Sequence, residues 1–123
     1  MSQSFDFISR PEKWLAFLQE KNMTLPNGYE MTTTFWQDFS IADAFGIEAI
    51  KDTYNRAFNE WKTNYVYLTE LVIVLNYKIW QWYEKDGSCE QSRLYNELWE
   101  KADSYAMDNL KGKEKDFFLK ITD

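Results

Sequence analysis

The sequence has no histidine, one cysteine, two prolines and four glycines among 123 residues. Without histidine, the commonest general base and the commonest metal ligand are missing. The single thiol, Cys89, permits no disulfide within the chain and fits a reducing compartment. It also lacks the histidine that would activate a nucleophile, so it reads as an inert residue at the start of a helix. Four glycines leave little material for a phosphate cradle. No Gly-x-Gly-x-x-Gly, Walker A or Gly-x-Ser-x-Gly motif occurs. Long apolar runs are missing too. In "YLTELVIVLNYKIWQWY" (Tyr67–Tyr83) the uncharged part reaches only from Leu71 to Tyr77, whereas a membrane-spanning helix needs about 20 apolar residues. The amino-terminal "MSQSFDFISR" has no basic leader and no apolar run, so no signal peptide is expected and a cytoplasmic location is.

Basic patches are absent as well. The net charge is −6, and residues 62–87, the most apolar part, are neutral overall. With no stretch on which phosphates could release counterions, direct nucleic-acid binding is not expected. An acidic nucleic-acid mimic is an alternative, although 14 bases dilute the 20 acids.

What the sequence does have is aromatic side chains, at 19% of residues, enough for a substantial core in a chain of single-domain length. "SRPEKWLAFLQEKN" opens with a capping-box pattern, Ser9 with Glu12, and "MTLPNGYE" supplies loop residues after it. Residues 1–30 therefore read as an appended helix and linker, and 31–123 as one helical-bundle domain. "TTTFWQDFSIADAFG" suggests one or two short helices, with Thr34 and Ser40 as candidate N-caps and Gly46 as a candidate C-cap. From Ile47 to Trp61, Ile47, Ile50, Tyr54, Ala57, Phe58 and Trp61 share one arc at about 100° per residue.

The stretch from Tyr65 to Lys85 lacks strand alternation and winds into a helix apolar on most sides. Its expected core includes Leu68, Leu75, Ile79, Trp80, Trp82 and Tyr83. Its narrow polar strip holds Glu70, Lys78, Gln81, Glu84 and Lys85. Asp86-Gly87-Ser88 ends it, and Ser88 with Gln91 forms a second capping-box pattern. The following helix buries Leu94, Tyr95, Leu98, Trp99, Ala102, Ala106 and Leu110, runs antiparallel to the first, and stops at Gly112. Phe117, Phe118 and Ile121 in the tail should dock. The fold expected is all-α, a compact bundle of about five helices around a central hydrophobic helix at about 65–85.

Three groups of residues are candidates for function. Tyr67, Val74 and Tyr77 fall in the polar strip beside Glu70, Lys78 and Gln81. Either another element covers them, or they form a partner site, including one with a second copy of the chain across a two-fold axis. Thr69 and Asn76 lie inside the apolar arc and need hydrogen-bond partners, from a neighbouring backbone or as a small pocket floor. Glu97, Glu100 and Asp103 step at threes, a spacing resembling the magnesium-holding Glu-x-x-Glu of all-helical nucleotide pyrophosphatases. The second pair on a facing helix is missing, and a solvated face with Glu97 opposite Lys101 is the simpler reading.

"MTTTFWQDFSIADAFG", "IKDTYNRAF", "YLTELVIVLNYKIW" and "LYNELWEKADSYAMDNLKG" together resemble short, uncharacterised accessory proteins of phages and conjugative elements in gut Firmicutes, over residues 31–123. That resemblance implies a setting and no catalytic residues. The expected function is a non-enzymatic protein-interaction module without cofactor, an inhibitor or adaptor of a host defence or other system, with a protein partner and no membrane. The alternatives are a small-molecule or nucleotide binder, a metal-dependent enzyme using Glu97, Glu100 and Asp103, and the acidic mimic.

Overall fold

Every residue from Leu68 to Leu75 is buried, polar and apolar alike, so this part of the chain is wrapped on all sides. The computed structural model describes residue 20 and residues 34–122. The appended helix and linker expected at 1–30 lie outside the described residues apart from Glu20. Among the described residues there are five α-helices and no strand: α1 (Thr34–Phe45), α2 (Ile47–Trp61), α3 (Tyr65–Asp86), α4 (Glu90–Asn109) and α5 (Gly112–Thr122). The chain is an all-α bundle with α3 at its centre.

Sequence neighbours pack on each other. α3 and α4 form the most extensive pair, α1 and α2 the next, and α5 rests mainly on α3. The joints between them are short. Gly46 alone separates α1 from α2, at φ 113° and ψ −168°, a region open almost only to glycine. Its N–H closes α1 on the Ala42 carbonyl at 2.9 Å, and its carbonyl accepts from Ile50 at 3.1 Å. Of the one or two helices expected there, one is present, and Ser40, a candidate cap, lies inside it.

The start of α3 is secured by Asn64, whose side-chain oxygen accepts from Val66 N–H at 2.9 Å and Tyr67 N–H at 3.2 Å. At its end Gly87, at φ 68°, donates to the Tyr83 carbonyl at 2.7 Å. The next helix begins one residue later than the Ser88–Gln91 pattern implies. Cys89 is the N-cap, and the Ser92 hydroxyl accepts from its backbone N–H at 3.0 Å. Ser92 is buried beneath this turn and also donates to the Gly87 carbonyl at 3.1 Å, which draws the cap to Cys89. α4 ends at Asn109 with Leu110 extended, so Gly112 opens α5 rather than stopping α4. Phe117, Phe118 and Ile121 are buried, as the tail pattern requires.

Aromatic contacts tie the elements together. Phe39 of α1 meets Tyr95 of α4 edge-on at 6.0 Å, Phe58 of α2 meets Tyr105 of α4 at 5.0 Å, and Tyr65 of α3 meets Phe117 of α5 at 5.2 Å.

The central helix departs from its expected wheel at both ends. Val74 is only 1% exposed, and Glu70 and Lys78 are buried with it. The polar strip therefore does not run the length of α3. Gln81, Glu84 and Lys85 are exposed and form its only open part. Trp80 and Tyr83, placed on the core arc from sequence, are instead 44% and 51% exposed. Beyond Lys78, α1 flanks the Trp82 side of α3, whereas Trp80 and Tyr83 are exposed.

Leu75 is fully buried in the main cluster, so Leu75→Ala should destabilise the fold by about 2–5 kcal/mol through lost burial and the cavity left behind. Val74→Lys should be at least as damaging, because it places an unpaired ammonium in the core. Urea unfolding of the two variants checks both expectations. A folded, stable Val74→Lys protein would contradict the all-round burial of α3.

Candidate functional site

The polar centre of the described bundle is built on Asp43, which α1 carries in the otherwise uncharged "SIADAFG" (residues 40–46). Its Oδ2 accepts from Lys78 Nζ of α3 at 2.7 Å, and its Oδ1 accepts from Tyr95 Oη of α4 at 2.6 Å. Lys78 Nζ also donates to Gln81 Oε1 at 3.0 Å. Three helices thus meet on one carboxylate. The Lys78 side chain is 5% exposed and that of Asp43 16%, so the ion pair is largely removed from water. Burial first, then the Asp43 charge and the hydrogen bond to it, push the Tyr95 phenol far above its ordinary value. Tyr95 therefore stays a neutral donor.

Above this node a cleft of about 290 Å³ opens between α1 and α3, lined by Ser40, Asp43, Ala44, Gln81, Trp82 and Lys85. Lys85 Nζ stands over the Trp82 ring, 5.0 Å from its centroid. The Trp82 indole N–H is buried and has no acceptor among the described residues. Buried donors are nearly always paired, which makes this one notable.

The residues expected to form a partner strip are divided by the structure. Gln81 reaches the cleft. Lys78 lies beneath it in the ion pair. Tyr67 is half-buried and stacks on Trp61 at 5.3 Å. Tyr77 is also half-buried. Glu70 and Val74 are buried and offer no surface to a partner. That removes Val74 as the centre of a dimer interface. The expected strip rests on the premise that charge marks solvent, and here two charged side chains are enclosed by packing.

Thr69 is buried, and its hydroxyl donates to the Tyr65 carbonyl at 2.7 Å, one turn back in its own helix. Asn76 is half-buried. Glu97 and Glu100 are exposed on α4, and burial raises the Asp103 carboxyl above its ordinary value. Among the described residues no three His, Cys, Asp or Glu side chains gather into a group that could hold a metal. Burial pushes the Cys89 thiol up, but hydrogen bonds from the Ser92 backbone and hydroxyl and the Gln91 backbone outweigh it and hold the thiol below its ordinary value.

Comparisons with protein-family models, with curated proteins and with solved structures find no match to this chain. Among the described residues, no helix is long and apolar enough to cross a membrane.

Asp43 escapes the helical pattern, although a signal for it is present. Asp43 lies between Ala42 and Ala44, and Lys78 lies between Tyr77 and Ile79. Two opposite charges, each with apolar residues on both sides in sequence, are compatible with a buried pair. Ser40, Ala44, Trp82 and Lys85 become neighbours only once that pair brings α1 onto α3.

Removing one partner of the pair strands the other. Asp43→Ala should cost about 3–5 kcal/mol. Lys78→Met added to it should recover most of that loss, because neither charge of the pair then remains. Urea unfolding of the two single variants and the double variant measures the coupling, and additive losses would contradict the pair. Alkaline pH tests the phenols. Burial pushes Tyr54 up to about 12, against 10.0 in the unfolded chain. Its contribution is fully present below pH 10 and is lost as pH rises toward about 12, by about 2–3 kcal/mol, with Tyr95 acting in the same direction. Stability measured between pH 8 and pH 12 should therefore fall steeply above about pH 10.

Proposed function

We propose that this chain is a small, non-enzymatic protein-interaction module, an inhibitor or adaptor carried by a mobile element and acting on a protein of its host. The observation that carries this reading is on α1. Ile41 and Phe45, four residues apart on one helix face, are 56% and 79% exposed, while Phe39 and Ala42 of the same helix are buried. A phenylalanine held in water beside a second large apolar residue gains nothing for the monomer, and contacts of this kind are used by partners. Trp80 and Tyr83, packed edge-to-face at 5.8 Å at the end of α3, add a second aromatic surface. The absence of histidine from the sequence supports a binding role over catalysis. The mobile-element setting rests on the resemblance of residues 31–123 alone.

Phe45→Ser changes an exposed side chain, so its melting temperature should stay near that of the parent, with a stability change within about 0.5 kcal/mol. In a pull-down from the native host, wild type should retain a specific protein that Phe45→Ser loses. Equal recovery by both proteins, or no partner at near-native expression, would remove this reading.

A further inference from the structure

The contacts of α3 place its neighbours around it. With Lys78 set at zero and about 100° per residue, Trp82 at about 40° faces α1 in the cleft, Tyr65 at about 140° meets Phe117 of α5, and Tyr67 at about 340° stacks on Trp61 of α2. Trp80, Gln81, Tyr83 and Glu84 are exposed, so the end of α3 leaves only the side of Ile79 and Trp82 for α4, its most extensive neighbour. An arc from about 220° to about 280° remains, and it carries Ile73, Val66, Tyr77 and Glu70 in that order. Val66 and Glu70 are 0% exposed, Ile73 is 5% exposed and Tyr77 is half-buried, whereas Trp80 and Glu84 just beyond are exposed. The arc is therefore covered from Val66 to Tyr77 and bare after it. Tyr67, Glu70, Tyr77 and Trp80, on or beside it, each have an interaction besides those named above.

The cover has to span about 16 Å, the length of α3 from Val66 to Tyr77 at about 1.5 Å per residue. It also has to bring positive charge, because a fully buried carboxylate such as Glu70 is costly unless paired. Lys51, Arg56 and Lys78 are committed to Glu48, Asp38 and Asp43. Residues 1–33 precede α1, and within them residues 9–22 meet both needs. On a helical wheel Trp14, Leu15 and Leu18 share an apolar arc, Arg10 and Lys21 border it, and Glu20 lies opposite. Glu20 is helical and exposed, in keeping with that phase. As a helix the segment is about 21 Å long. Its net charge is +1, from Arg10, Lys13 and Lys21 against Glu12 and Glu20. Residues 23–33 extend up to roughly 36 Å, enough to return from this face to the start of α1.

We propose that residues 9–22 dock as a helix on the Val66–Tyr77 arc of α3, with Trp14, Leu15 and Leu18 toward the bundle and a basic residue of their border, Arg10 or Lys21, paired to Glu70. The strip that the sequence offers to an outside partner is then a docking surface for the chain's own amino-terminal segment. It is closed to other proteins while that segment is bound. This surface is separate from Ile41 and Phe45 on α1 and does not depend on the interaction reading.

A nitroxide attached at Glu20→Cys, in a Cys89→Ser background, reports where the segment lies in the full chain. In a two-dimensional ¹H–¹⁵N spectrum the strongest broadening should fall on the amides of residues 66–77. Strongest broadening on residues 41–45, or no preferred region, would overturn the proposal. Hydroxyl-radical footprinting gives a reading without a label. In the double variant Trp14→Ser, Leu18→Ser, oxidation of Ile73 and Tyr77 should rise severalfold over wild type, while Tyr95 and Phe118 of the core stay protected. Unchanged oxidation of Ile73 and Tyr77 would also overturn it. Should Tyr95 lose protection as well, the bundle has unfolded and the nitroxide measurement decides. Arg10→Met and Lys21→Met identify the counter-charge. One of them should raise oxidation at Tyr77, and Glu70→Gln added to it should restore protection, because neither charge of the pair then remains. No rise with either variant would overturn the pairing. Phe45→Ser should leave the broadening pattern unchanged, so failure here and failure of the interaction reading are distinguishable.

Discussion

One carboxylate positions the first helix. Asp43 accepts from Lys78 and from Tyr95, and those donors belong to the two helices that pack most extensively on each other. Packing of Phe39, Ala42 and Tyr95 brings α1 close to α4, but apolar contacts tolerate sliding, whereas two short hydrogen bonds to one group do not. A buried ion pair contributes little net stability compared with a well-packed apolar replacement, because desolvation offsets most of the attraction. Its effect is on register. It specifies which turn of α1 faces which turn of α3, and so fixes the walls of the cleft.

The same logic explains why α3 tolerates polar residues where it is most enclosed. Thr69 satisfies its hydroxyl within its own helix, and Lys78 is satisfied across two helices. Enclosure ends near Lys78. From there the aromatic residues change role along a few residues of one helix: Trp82 is half-buried against α1, while Trp80 and Tyr83 meet water. One amphipathic element thus serves as core at one end and as surface at the other.

The fold class was legible in the sequence because helical periodicity over Ile47–Trp61 and Leu94–Leu110 is long and regular, and because Gly46, Gly87 and Gly112 fall at the joints. The central helix was legible as an element, but its exposure was not. Its apolar residues surround the whole circumference, so no moment distinguishes the side facing α4 from the side facing solvent, and Trp80 looks the same as Leu75. Glu70, Val74 and Lys78 were misplaced for the same reason. Asp43, Trp82 and Lys85 could not be grouped because their proximity depends on how α1 lies across α3, which is a tertiary property. The shift of the cap from Ser88 to Cys89 is of another kind: Ser92 below the turn decides it, three residues beyond the cap.

The one-residue joint at Gly46 and the tight turn at Gly87–Cys89 bear on the order of assembly. Each joins two helices that touch along their length, so α1–α2 and α3–α4 are hairpins whose contacts close short loops. Low contact order of this kind favours fast folding. The bonds from Asp43 span 35 and 52 residues and unite the two hairpins. Their loop-closure entropy is the largest among the polar contacts described, so bringing the two hairpins together costs more chain entropy than closing either one. The cleft, lying on that seam, comes into being only when the seam closes.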